Sequence, residues 1–207
     1  MKQKIIDIQK HPKIASHHII HFDNSHNLII PSVLIDNFGL CIGLSIEKKI
    51  IEKLIAADEA MRAKNIALSV LKERIYSKSQ MVTYLEREGF TDNTIQQIVI
   101  ELIQSGHIKD REFAVKWINR RQKSNPRGNS LLKQELLEKG VDRDTVDQVF
   151  SKLDERDDTD LVLQIAEKRS KAYRNLPVQT ARRRLHAYLA RRGFDSDIIL
   201  EVMEQVL

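Results

Sequence analysis

Two hydrophobic periods divide this chain. From Ile46 onward, apolar residues recur at three- and four-residue intervals: Ile46, Ile50, Ile51, Leu54, Ile55, Met61, Ile66, Leu68 and Leu71. That spacing predicts a helix running to about Arg74, with Ser45 as its N-cap and Glu47 and Lys48 in its first turn. Ser77-x-x-Gln80 fits a capping box opening the next helix. Before residue 46 the pattern is β-like. Lys4-Ile5-Ile6-Asp7-Ile8 partly alternates, Ser16 to Phe22 is rich in Ile and His, and Asn27-Leu28-Ile29-Ile30 runs into Pro31 after a polar turn. These runs predict a small hairpin or three-stranded sheet, then a short helix from Val33 to Phe38 stopped by Gly39.

The helical part repeats. Leu85-Glu86-Arg87-Glu88-Gly89, Leu136-Leu137-Glu138-Lys139-Gly140 and Leu189-Ala190-Arg191-Arg192-Gly193 each place Leu-x-x-x-Gly at the end of a helical stretch. Each Gly is followed by an apolar residue (Phe90, Val141, Phe194) and then an Asp (Asp92, Asp142, Asp195). Apolar residues return six positions after the Gly (Ile95, Val146, Ile199) and ten after it (Val99, Phe150, Met203). An earlier helix in each copy carries an Ala (Ala67, Ala114, Ala166) and a later Arg (Arg74, Arg121, Arg169). In this reading Gly ends the middle helix in the left-handed conformation, the apolar residue folds back, and the Asp caps the third helix.

Three-helix copies of this kind bury their apolar stripes partly on their neighbours. The expected fold is mainly α: tandem three-helix repeats behind a small N-terminal β segment. The boundaries are 1–45 for the β extension, 46–106, 107–153 and 154–207 for the three repeats. Asp110 is expected to cap the second copy's first helix, and Leu153 to Asp160 to be a solvated acidic linker and helix start. The β extension is expected to cover one end of the array.

Composition agrees. Seven Gly and four Pro in 207 residues are few, and 5% aromatic residues leave the core to aliphatic side chains. The single cysteine, Cys41, reads as a small hydrophobe and excludes an intramolecular disulfide, so a reducing cytoplasm is expected. No stretch approaches the roughly 18 apolar residues of a membrane span. No phosphate-binding loop, Gly-x-Gly-x-x-Gly or Cys-x-x-Cys is present, so a binding module without a cofactor is expected rather than an enzyme. His17 and His18 are neighbours on a strand, face opposite sides and do not make a metal site together.

Charge is more informative. The net charge is +5, and it is unevenly spread. From Phe113 to Gln134 there are six basic residues and no acid: Lys116, Arg120, Arg121, Lys123, Arg127 and Lys133. From Lys168 to Arg192 there are nine and no acid: Lys168, Arg169, Lys171, Arg174, Arg182, Arg183, Arg184, Arg191 and Arg192. The first copy has no such run. These fifteen are the candidate binding residues. Nucleic acid phosphates and an acidic protein surface are the two partner classes they suit.

The motifs resemble those of the bacterial recombination regulators of the RecX family, in the form carried by Gram-positive members. Arg74-Ile75-Tyr76-Ser77 with Leu85 to Phe90 is similar to that family's first signature. Gly106-His107-Ile108-Lys109-Asp110-Arg111-Glu112-Phe113-Ala114 is similar to its most specific motif. Arg127-Gly128 with Leu132, Glu135-Leu136 and Lys139-Gly140-Val141 is similar to the second unit, and Tyr188 to Phe194 to the third. Pro126, and His107 where an aromatic or aliphatic residue is usual, are departures. The resemblance implies an elongated, curved array that lies in the groove of the RecA filament on single-stranded DNA. It also implies inhibition of ATP hydrolysis, strand exchange and stimulated repressor cleavage, within DNA repair and SOS control. A monomer is expected, with direct contact to single- or double-stranded DNA as a further partner. A stand-alone DNA-binding regulator with helix-turn-helix-like units is the alternative.

Overall fold

The structure is a computed structural model that describes residues 2–152 and 158–206. Ten α-helices and four strands are found among them. The strands are β1 (Lys2–Lys10), β2 (His17–Phe22), β3 (Asn27–Pro31) and β4 (Ser45–Glu47), forming one antiparallel sheet in the order β3-β2-β1-β4. The helices are α1 (Ser32–Asn37), α2 (Lys48–Glu73), α3 (Lys78–Arg87), α4 (Asp92–Gln104), α5 (Asp110–Ser124), α6 (Asn129–Glu138), α7 (Arg143–Phe150), α8 (Thr159–Ser170), α9 (Val178–Ala190) and α10 (Ser196–Val206). A single 3-10 turn, Lys171–Tyr173, follows α8.

The sheet has one strand more than the periodicity indicated. Ser45 does not cap α2: it pairs with Lys4 across β1, and Ile46 is buried in the sheet's core. The long helix starts only at Lys48, because three residues of helix-like spacing are pulled into the sheet by β1. Cys41, read as a small hydrophobe, is not part of the core. It is exposed.

The chain divides into two compact units. One is Met1–Arg74 with Val82–His107, and the other is Ile75–Met81 with Ile108–Leu207. In the first unit, Ile5, Ile20, Phe22, Ile30, Leu34, Ile46 and Leu54 close a core between the sheet, α1 and α2. In the second unit, one core gathers Phe113, Ala114, Ile118, Leu132, Leu136, Val146 and Phe150 from α5–α7. Another gathers Val162, Ala166, Leu185, Leu189, Phe194, Ile199 and Met203 from α8–α10.

The repeat register is reproduced at its Leu, Ala and Gly positions. Leu85, Leu136 and Leu189 are fully buried, as are Ala67, Ala114 and Ala166. Gly89, Gly140 and Gly193 take φ values of 85°, 74° and 78°. The residue after each Gly returns its N–H to the Leu carbonyl, at 3.3 Å from Phe90, 3.1 Å from Val141 and 3.5 Å from Phe194. That is the six-to-one bond of a Schellman ending.

The helix starts agree in two copies and differ in one. Asp142 accepts the Thr145 N–H at 2.7 Å, and Asp195 accepts the Asp197 N–H at 3.2 Å. Asp92 is instead the first helical residue of α4, behind Thr91 at the cap. Glu59 of α2 accepts the Thr91 N–H at 2.8 Å and both the Thr91 and Thr94 hydroxyls. Desolvation pushes the Glu59 pKa up, but these hydrogen bonds and the charge of Arg62 outweigh it and hold the carboxyl below its usual range. Asp110 likewise caps a different helix. Lys109 stands at the start of α5, while the Asp110 carboxylate accepts the Lys78 N–H at 2.7 Å in the first turn of α3. Burial raises the Asp110 pKa, the Lys78 bond opposes this, and the nearby charge of Asp142 adds to it. The capping box at Ser77 is present, with Gln80 N–H on Ser77 Oγ at 3.2 Å. Leu153 to Asp157 of the acidic run lie outside the described residues. Asp158 is buried at the start of α8 rather than solvated.

Candidate functional site

The fifteen basic candidates separate into two populations. Five are turned onto the protein's own side chains. Arg121 and Arg127 both pair with Glu135, a carboxylate of α6 with only 8% of its surface exposed. Trp117 adds its indole N–H to Glu135 Oε2 at 2.9 Å, on the same oxygen that receives Arg121 Nε at 2.9 Å. Two cations lie over the Trp117 ring, Arg121 at 4.6 Å and Lys139 at 4.0 Å from its centroid. A buried charge of this kind survives only when paired and hydrogen-bonded, and here three donors converge on it.

The other three lie over rings, Lys133 and Arg192 half-buried and Arg169 exposed. Lys133 sits 5.1 Å from the Phe150 centroid. Arg169 and Arg192 lie 4.7 Å and 4.8 Å from Tyr188, and Arg192 also donates to the Pro126 carbonyl at 3.3 Å. These contacts engage one ammonium and two guanidinium groups within the protein itself.

The remaining ten cations make no ion pair among the described residues: Lys116, Arg120, Lys123, Lys168, Lys171, Arg174, Arg182, Arg183, Arg184 and Arg191. Nine are exposed, and Arg182 is half-buried. Helix geometry groups them. On α5 the buried face is Phe113, Ala114 and Ile118. Lys116, Arg120 and Lys123, at i, i+4 and i+7, fall within about 60° of one another and flank the buried face on its Phe113 side. On α9 the buried face is Ala181, Leu185 and Leu189. Arg184 and Arg191 share a line within about 20°, and Arg183 stands one step round, directly away from the core. The α5 stripe meets an acid at its N-terminal end. Glu112 is held below its usual pKa by the Lys109 ammonium, through a 2.9 Å bond and then its charge, with Lys116 assisting.

Sequence reasoning missed the Glu135 cluster. Arg121 and Glu135 are fourteen residues apart, which no local pairing rule reaches. The usable signal was Trp117, the chain's one tryptophan, whose N–H needs a partner when partly buried.

Similarity to known proteins bears on the whole chain. Two family models match, the second three-helix domain of RecX over residues 110–149 and the third over residues 156–203. A regulatory protein RecX of Chlorobium phaeobacteroides is 32% identical over 152 residues, which is 73% of this chain and 98% of that protein. The chain belongs to the RecX family. The regulatory protein RecX of Bacillus subtilis is 26% identical over 90% of this chain and 71% of that protein. Among solved structures, a regulatory protein RecX superposes with a TM-score of 0.80 at 20% identity, covering 98% of this chain and 99% of the other. RecX from Lactobacillus salivarius superposes with a TM-score of 0.66 at 21% identity, covering 72% of this chain and 97% of the other. These likenesses establish the RecX fold, including its β segment. No helix among the described residues is long and apolar enough to cross a membrane.

Proposed function

We propose that this RecX-family chain binds the RecA recombinase assembled on single-stranded DNA and lowers its ATPase, strand-exchange and coprotease activities, through the exposed cations of α5 and of α8–α9. The observation that carries the reading is the unequal distribution of charge. The second and third copies present ten basic side chains that form no ion pair among the described residues. Exposed cations left without intramolecular partners weaken no native contact when a partner engages them, and repeated weak contacts along a polymeric partner sum to avidity. The chain does this by binding; no catalytic step is assigned to it.

The test compares naked single-stranded DNA with RecA-coated single-stranded DNA across a salt series. Tighter binding to the coated strand near physiological salt is expected. Equal affinity on naked DNA, falling steeply with salt, would instead favour a stand-alone DNA-binding regulator.

A further inference from the structure

One joint occurs twice in the second unit. The Ser77 hydroxyl, capping α3, donates to the Lys139 carbonyl at 2.8 Å, and a Cβ on Gly140 would lie 2.2 Å from Ser79 Cβ. One copy further on, the Gly128 N–H, capping α6, donates to the Arg192 carbonyl at 2.9 Å. A Cβ on Gly128 would lie 2.0 Å from the Gly193 carbonyl oxygen, and a Cβ on Gly193 would lie 2.4 Å from Leu131 Cβ and 2.6 Å from its backbone nitrogen. The start of one copy's middle helix is thus seated on the loop ending the next copy's middle helix. The third copy's middle helix, α9, opens on Pro177, which has no N–H to offer at the cap. The first copy's Gly89 has the same left-handed backbone, yet nothing lies within 4 Å of its Cβ position.

Both basic stripes end within a few residues of the Gly128–Gly193 joint along the chain. Lys123 ends the α5 stripe, and the five residues from there to Gly128 span at most about 18 Å of extended chain. Arg191 ends the α9 stripe and immediately precedes Arg192, whose carbonyl and guanidinium grip Gly128 and Pro126. We propose that Gly128 and Gly193 are positioning residues, whose backbone-to-backbone joint aligns the α5 and α9 stripes into one continuous contact surface for the filament. This rests on the filament reading above. The joint adds no charge. It fixes the relative placement of charges carried by two copies, so that a repeating partner meets both at once.

Gly128→Ala tests this cleanly. Gly128 has φ −72° and ψ 162°, which alanine adopts freely, so the variant acts only through the backbone clash. Gly89→Ala is the matched control, carrying left-handed strain without a clash. Spin labels at Lys123→Cys and Arg191→Cys, with Cys41→Ser, report the separation of the stripes. Affinity for RecA-coated single-stranded DNA is measured on the unlabelled chains. The parent chain and Gly89→Ala are expected to give one narrow distance and equal affinity. Gly128→Ala is expected to broaden the distance and lose at least fivefold in affinity at unchanged helix content. If Gly128→Ala loses helix content, Arg192→Ala replaces it, with the same expectation. A narrow distance in the variant, or unchanged affinity despite a broadened one, overturns the proposal. If the parent chain shows no preference for coated DNA, the filament reading fails while the distance still decides whether the joint aligns the stripes.

Discussion

The guanidinium of Arg121 reaches the Glu135 carboxylate at 2.9 Å and lies over the ring of Trp117, which donates to that same carboxylate oxygen. One acid therefore neutralises part of a basic run that reads as uncompensated along the sequence. Glu135→Ala is expected to lower stability by about 2–3 kcal/mol, because two cations and an indole N–H lose their common acceptor. Thermal unfolding monitored by Trp117 fluorescence measures this. A change within about 0.5 kcal/mol would show that solvent replaces the carboxylate at no cost.

The division of the basic residues predicts two kinds of variant. Arg121→Ala and Arg127→Ala are expected to lower the melting temperature. Arg183→Ala, Arg184→Ala and Arg191→Ala together are expected to leave it within a degree or two while weakening filament binding. Calorimetry and a binding titration on the same preparations check the split. Equal thermal losses in both sets would erase the distinction between internal and outward-facing cations.

Much of the fold is legible in the sequence because its determinants are local. The Leu-x-x-x-Gly ending needs only a buried Leu and a residue free to take positive φ, and both are visible at Leu85–Gly89, Leu136–Gly140 and Leu189–Gly193. What escapes is set by distant partners. Ser45 has the chemistry of an N-cap, but Lys4 draws it into the sheet. Asp110 stands where a cap belongs, yet it serves Lys78, thirty-two residues earlier. The candidate site behaves in the same way. Fifteen cations can be counted from the sequence, but which five engage the protein's own groups depends on Glu135, Phe150, Tyr188 and Pro126.

The Glu59 contact gives a pH-dependent prediction. Its folded pKa lies below the ordinary 4.5, so its contribution is present above that value and is lost as pH falls through the lower folded value. Glu59→Ala is expected to cost about 1 kcal/mol at neutral pH, the usual value of a lost helix cap. The difference from the parent chain should shrink below pH 4.5. Chemical denaturation at several pH values measures it, and a cost independent of pH would mean that the carboxylate charge plays no part.

Asp110 has the opposite sign. Its folded pKa lies above the ordinary 3.8, so its favourable contribution is complete below that value and is lost as pH rises through the folded one. Asp110→Asn keeps an oxygen to accept the Lys78 N–H and removes the charge facing Asp142. The variant is expected to match the parent chain in acid and to melt at a higher temperature near neutrality. A lower melting temperature at neutral pH would show that the charge itself is needed at the start of α3.

The central claim concerns the outward cations and the recombinase filament. The most direct measurement is a titration of RecA ATP hydrolysis on single-stranded DNA with the parent chain and with a variant carrying alanine at Lys116, Arg120, Lys123, Arg183, Arg184 and Arg191. The parent chain is expected to suppress hydrolysis, and the folded variant to need at least tenfold more protein for the same effect. Equal suppression by both chains would contradict the account.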